Sequence, residues 1–133
     1  MTTFAVEPYR INAFAVGEEY LFRRYFERDD LFRQLAEYYD RDAYRFAVPE
    51  AEFEGVSELL ANEGFEPIAV DDLEPFCVVK ERYTKHADIL RDSVAHWQRR
   101  GYNFFLLPDV SAVETAVEAG ATPSAEIDLA LGL

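Results

Sequence analysis

Both histidines and six of the 13 Lys and Arg residues fall between residues 80 and 100. This stretch carries six Lys and Arg residues against three acidic ones, a net charge of +3, in a chain whose formal net charge is −13. The preceding stretch, 46–79, contains nine Asp and Glu residues and no basic residue. Positive charge gathered at one place in an acidic chain predicts a site for an anionic partner, such as RNA, a nucleotide or an acidic protein.

The predicted anion-binding patch consists of five basic residues: Lys80, Arg82, Lys85, Arg99 and Arg100. Two tyrosines in the same stretch, Tyr83 and Tyr102, are candidates for stacking on a base. A purely structural explanation also exists. Glu81 and Asp88 lie close in sequence to the lysines, and a cation at a helix C-terminus is favoured by roughly 0.3–1 kcal/mol, which would account for the two arginines.

The two histidines and the single cysteine are weaker candidates for catalysis. His86 and His96 are ten residues apart on one predicted helix, about 80° apart around its axis, so they are not expected to share a metal ion. Cys77 lies in an apolar run, which is typical of a small buried residue and not of a nucleophile. We therefore expect no catalytic residue and no metal site, although a small enzyme with a histidine in its site remains an alternative.

A set of aromatic residues near the N-terminus predicts a different kind of surface. Residues 18–40 show helical periodicity and are predicted to form a helical hairpin. The hairpin carries more aromatic side chains than a short helical pair needs for its own packing. If they face outward, they form an oligomer surface made of Phe22, Tyr25, Phe26, Phe32, Tyr38 and Tyr39.

Composition indicates the environment more clearly than the activity. The chain has 133 residues, half of them apolar, with 26 acidic and 13 basic residues of which only two are lysines. This acidic excess is typical of the cytoplasmic proteins of halophiles that accumulate salt. The sequence contains no long apolar run and none of the glycine motifs that bind nucleotides, so we expect no membrane partner and no cofactor.

Periodicity and turn residues predict an α+β fold in a single domain, 1–133. An extended arm or strand (1–17, with the strand at 10–16) precedes the helical hairpin. A ferredoxin-like βαββαβ core follows at 44–107, with strands at 44–48, 65–70, 76–82 and 102–107 and with residues 84–100 as its second helix. A C-terminal helix and tail, 110–133, begins with a capping box at Ser111 and Glu114 and has a possible extra strand at 126–131.

These observations favour a non-enzymatic binding or regulatory module that uses the basic stretch against an anionic partner. The first alternative is a homo-oligomeric interaction module that uses the aromatic hairpin. Fold alone does not decide between them, because one fold supports many functions.

Overall fold

The computed structural model describes residues 10–81 and 85–126. Their contacts divide the chain into two compact units, Met1–Asp71 and Asp72–Leu133, and each unit has its own β-sheet. The described residues form a mixed α+β structure with two sheets and four α-helices, and none of these helices is long and apolar enough to cross a membrane. The single domain expected over 1–133 stays a prediction.

The first unit is a five-stranded sheet with two helices. Its elements are β1 (Arg10–Val16), β2 (Glu19–Phe22), α1 (Asp29–Leu35), β3 (Tyr39–Asp40), β4 (Arg45–Pro49), α2 (Phe53–Asn62) and β5 (Glu66–Val70). The strand order is β3-β4-β2-β1-β5, and every pair is antiparallel except β1 with β5. The core of this unit combines Leu31 and Leu35 of α1 and Leu60 of α2 with Phe22 and Phe46 of the sheet.

The helical hairpin predicted over 18–40 is wrong in its first half. Gly17, at φ +63°, lies in a two-residue loop that turns β1 back into β2, so that Val16 pairs with Glu19. β2 has only four residues, and its apolar pair Leu21 and Phe22 fits a buried strand as well as a helix. Only α1 and a short 3-10 turn at Ala36–Tyr38 are helical in this region.

The second unit is a four-stranded antiparallel sheet with two short helices. Its elements are β6 (Cys77–Glu81), α3 (Ala87–Asp92), β7 (Ala95–Arg99), β8 (Tyr102–Leu106), α4 (Val110–Glu118) and β9 (Thr122–Pro123). The strand order is β7-β8-β6-β9. Ile89 of α3 and Ala116 of α4 pack with Val78 of β6 and Phe105 of β8 in the core of this unit.

The long helix predicted over 84–100 is also wrong, because the chain changes direction at Ser93. The Ser93 hydroxyl donates to the Leu90 carbonyl at 2.8 Å and ends α3, and the Val94 N–H then donates to the Leu106 carbonyl at 2.7 Å. Arg100 and Gly101 both have positive φ, 51° and 82°, in a two-residue loop that joins β7 to β8. Positive φ at both loop residues is the signature of a tight hairpin turn, so Gly101 ends a strand connection and not a helix.

The ferredoxin-like core predicted over 44–107 is not confirmed. Its predicted elements are divided between the two units: β4, α2 and β5 belong to the first sheet and its helix layer, whereas β6, α3, β7 and β8 belong to the second. The individual strands predicted at 10–16, 44–48, 65–70, 76–82 and 102–107 do correspond to β1, β4, β5, β6 and β8.

The C-terminal helix is confirmed, but its cap differs from the prediction. The Asp109 carboxylate accepts a hydrogen bond from the Ala112 N–H at 2.7 Å, which makes Asp109 the N-cap of α4 in place of Ser111. Of the strand predicted at 126–131, residues 127–131 lie outside the described residues, and Glu126 belongs to a 3-10 turn.

Candidate functional site

Strand register places Lys80 on the face of the second sheet that carries the helices. Lys80 lies opposite Asn103 of β8, which lies opposite Gln98 of β7, and the neighbouring row on the same face contains Val78 and Phe105. Side chains paired across antiparallel strands point to the same face. Lys80 therefore belongs to a row of polar residues, next to the apolar row that packs against α3 and α4.

The ammonium group of Lys80 lies close to the end of α4. Its Nζ atom is 3.3 Å from the position that a Cβ atom would occupy on Gly120, just after the helix ends. The last carbonyls of a helix carry partial negative charge, which favours a cation at this place. Gly120 has φ +105° and no side chain, so it leaves room for the ammonium group.

Lys80 and Lys85 line one cleft, which we call the basic cleft. Its volume is about 330 Å³, and its lining residues are Lys80, Lys85, His86, Ala87, Asp88, Ile89 and Ala119. The segment before α3 supplies Lys85 and His86, and Ala119 comes from the end of α4. These two lysines are the only lysines in the whole sequence.

The second histidine stands beside the first, contrary to the prediction from a single helix. The His86 and His96 rings are 6.2 Å apart between centroids, nearly parallel at 23°, and both rest against Phe105, at 5.4 and 5.0 Å. His96 reaches this position because β7 runs alongside β8 and pairs it with Phe105. The alternation of exposed His96 and Gln98 with half-buried Trp97 is the strand signal that the sequence analysis missed.

Asn103 contacts the ring of His96 and orients it. Its side chain is fully buried, and its Oδ1 atom lies 3.2 Å from His96 Nε2. Because an amide oxygen can only accept, the His96 Nε2–H is the donor in this contact. The tautomer and the ring plane of His96 are thereby set by a buried partner.

The lysines of the basic cleft have no carboxylate partner in the part of the chain that the structure describes. Neither Lys80 nor Lys85 makes an ion pair or a hydrogen bond within residues 10–81 and 85–126. The carboxylate that lines the cleft belongs to Asp88, and its Oδ1 atom is 3.2 Å from Arg91 Nη2. The cleft thus presents two unpaired ammonium groups and an imidazole, all of which can donate hydrogen bonds to an anion.

Arg99, Arg100 and Tyr102 do not line this cleft. Alternation along the strands places Arg99 and Tyr102, which pair with each other, on the opposite face of the sheet from Lys80. Arg100 is exposed in the β7–β8 turn. Arg82 and Tyr83 lie outside the described residues. Among the predicted residues whose positions are described, only Lys80 and Lys85 line the basic cleft.

The predicted oligomer surface is mostly the interior of the first unit. Phe22 is fully buried and stacks on Phe46 at 5.0 Å, and Phe26, only 6% exposed, meets Phe46 edge-on at 5.6 Å. Phe32, Tyr38 and Tyr39 are partly buried against the same core. Of the six predicted residues only Tyr25 is strongly exposed, at 82%.

Tyr38 is held by a polar contact at the edge of this core. Its hydroxyl donates to the Glu52 Oε1 atom at 2.9 Å, and this hydrogen bond to a carboxylate raises the pKa of the Tyr38 hydroxyl. The hydrogen bond joins the 3-10 turn at Ala36–Tyr38 to the turn before α2.

A second cleft, of about 370 Å³, lies on the first unit around Tyr25. Its rim includes Tyr44, which is 62% exposed at φ +55°, and the Arg23 guanidinium lies 6.0 Å from the centre of the Tyr44 ring. Asp29 and Arg24 also line it, and the Arg24 guanidinium lies 5.3 Å from the centre of the Phe65 ring. It has no excess of unpaired cations comparable to that of the basic cleft.

Cys77 has the properties of a core residue, as its apolar context predicts. It is buried, and burial raises the pKa of its thiol from 9.0 to about 12. At neutral pH the thiol is therefore protonated, and the thiolate is the nucleophilic form. Within the described residues, no group of three or more His, Cys, Asp or Glu side chains is placed to hold a metal ion.

Comparison with known proteins gives no family model, curated protein or solved structure that matches this chain. The function must therefore be argued from the chemistry of the sites themselves.

Proposed function

We propose that this protein is a non-enzymatic binding module whose second unit holds an anionic group in the basic cleft. The observation that carries the proposal is that both lysines of the chain line one cleft and have no ionic partner among the described residues. In a chain with 26 acidic residues, an ammonium group would ordinarily find a carboxylate. Two ammonium groups that lack such a partner among the described residues and line a concave site support the binding of an external anion.

The fold supports this proposal because Lys80 lies on a strand, whereas Lys85 lies in the segment before α3. The second unit runs β-α-β-β-α-β with the strand order β7-β8-β6-β9, and we propose a small ferredoxin-like arrangement for residues 77–123. Lys80 comes from a central strand and Ala119 from the end of a helix. Sites on strands and helices keep their geometry better than sites on loops.

The acidic remainder of the surface fits the same proposal. We attribute the acidic excess to a cytoplasm with concentrated salt, where carboxylates keep the surface hydrated. Salt shortens the range of electrostatic attraction, to about 3 Å at 1 M. An anion would then be held by direct contact in a cleft and not by long-range attraction.

The homo-oligomeric alternative has less support, because two of its six predicted residues are buried and three are half-buried. The enzyme alternative requires a pocket at a histidine, and His86 supplies one. Any turnover of a bound anion would favour that alternative, so the binding assay should also detect products.

The test is calorimetric titration of the full chain with inorganic pyrophosphate, in the wild type and in K80Q/K85Q. We expect the double variant to lose about tenfold or more in affinity, because each lysine contributes a charge-assisted contact. The matched control is R33Q/R41Q, which removes two exposed arginines of the first unit that have no ion pair within the described residues.

The control should bind pyrophosphate as the wild type does, and circular dichroism should show that all three proteins are folded. Equal loss in both double variants would mean that net charge and not the basic cleft determines binding. Absence of binding in the wild type would refute the proposal. Release of orthophosphate during the titration would move the assignment to the enzyme alternative.

A further inference from the structure

The size and shape of the basic cleft indicate a class of ligand. We infer that the cleft takes the phosphate group of one small phosphorylated molecule, such as a mononucleotide, in preference to a nucleic-acid strand, and that the two histidines make its affinity increase as the pH falls. This inference rests on the proposed function of the cleft.

The volume of the cleft suits one small molecule. At about 330 Å³ it lies at the lower end of the range of roughly 300–1,000 Å³ that is common for small-molecule sites. The two ammonium groups match the two negative charges of a phosphate monoester. Each ammonium group has three N–H donors and no acceptor. The apolar lining, Ala87, Ile89 and Ala119, would contact the uncharged part of the ligand.

Among the described residues, which leave out Arg82 and Tyr83, the basic side chains do not continue along the surface as a track for a strand. Single-stranded nucleic acid is usually held by a positive groove that follows several successive phosphates, with aromatic rings for the bases. Here Arg99 and Tyr102 are on the other face of the sheet, and Arg91 is paired with Asp88.

His86 adds a charge that depends on pH. Histidine changes its charge between about pH 5 and pH 8, and a protonated imidazole in the cleft would be a third cation beside the anion. An anion that is held more tightly by the protonated form must in turn favour protonation. The groups around His86 that carry or change charge are Lys80 on β6, Lys85, Asp88 on α3 and His96 on β7.

Two further elements contribute uncharged side chains around the His86 ring. β8 contributes Phe105, against which both rings rest, and α4 contributes Ala119.

The experiment is calorimetric titration of the full chain with three probes: AMP, a 5′-phosphorylated oligouridylate of about ten nucleotides and inorganic sulfate. The salt is kept at about 0.1 M KCl, where the Debye length is about 10 Å. We expect AMP to bind with one site per chain and the oligonucleotide to bind within about threefold of AMP, because only its terminal phosphate enters the cleft. AMP should also displace sulfate.

Sulfate isolates the protein's own protonation, because its charge stays at −2 in this range whereas the charge of a phosphate monoester changes near pH 6. We expect its affinity to increase by about fivefold between pH 8 and pH 6 in the wild type, because the cleft gains positive charge. In H86Q, which keeps a polar side chain of similar length, the increase should be less than about twofold.

An oligonucleotide that binds more than about thirtyfold tighter than AMP would overturn the small-ligand inference and leave the proposed function intact, since a strand would then be the ligand. An unchanged sulfate affinity in the wild type would overturn the role of the histidines whether or not H86Q folds. Binding of none of the three probes would refute the proposed function together with this inference.

Discussion

Tyr25 and Phe26 are neighbours in the chain with opposite surroundings, and replacing each by alanine tests how the first unit is packed. Phe26 is 6% exposed and meets the rings of Phe46 and Phe65 edge-on at 5.6 and 5.3 Å. Removing a buried phenylalanine side chain costs about 3–5 kcal/mol, which includes the cavity left behind. Two edge-on ring contacts, worth about 0.5–1.5 kcal/mol each, place F26A in the upper half of that range.

Tyr25 is 82% exposed, so Y25A should change the free energy of unfolding by about 0.5 kcal/mol or less. The assay is equilibrium urea denaturation followed by circular dichroism, with the midpoints of both variants compared with that of the wild type. If the two units unfold in separate steps, the change belongs to the step of the first unit. A larger loss in Y25A than in F26A would show that these aromatic residues form an outer surface and that the described core is wrong.

Two further predictions concern the second unit. Cys77 should react with iodoacetamide at pH 8 about a thousandfold more slowly in the folded protein than in urea, since a thiol pKa raised by burial from 9.0 to about 12 lowers the thiolate fraction by that factor; because the unfolded chain loses this proton first, stability should fall as the pH rises from about 9 to 12, and comparable reaction rates in both states would contradict the burial of the thiol. D109A should destabilise the protein by about 1 kcal/mol in thermal or urea unfolding because it removes the N-cap of α4, whereas S111A should have almost no effect, and the opposite ranking would restore the capping box predicted from the sequence.

Local sequence patterns predicted five of the nine described strands, whereas β2, β3 and β7 lie in segments predicted to be helical and β9 was not predicted. The run Cys77–Glu81 is bounded by Pro75 and by charged residues, and Tyr102–Leu106 by Gly101 and Pro108, so each strand is identified by its own residues. Residues 84–100 have no such local signature. Apolar residues at positions 87, 90, 94 and 97 fit helical spacing, but pairing with β8 and a two-residue turn outweigh that preference.

The helix wrongly predicted over 84–100 also explains how much of the candidate site could be predicted. Lys80 and Lys85 are adjacent to the boundary of a correctly predicted strand, so their proximity followed from the sequence. The histidine pair did not follow, because a continuous helix would separate His86 and His96 by nearly three turns. Their contact depends on β7 returning alongside β8, which is a long-range pairing that no local periodicity contains.

The segregation of lysine into the basic cleft gives this protein an unusual chemical selectivity. Reagents that acylate primary amines modify lysine side chains and the α-amino group of a chain, and this sequence has only two lysines. Both line the cleft, whereas all eleven other basic side chains are arginines, which such reagents leave unmodified. An amine-directed fluorophore, crosslinker or isotope tag is thus confined, apart from the α-amino group, to this one cleft, and protection of its two amines would reveal an occupant directly in mass spectra without any substitution in the chain.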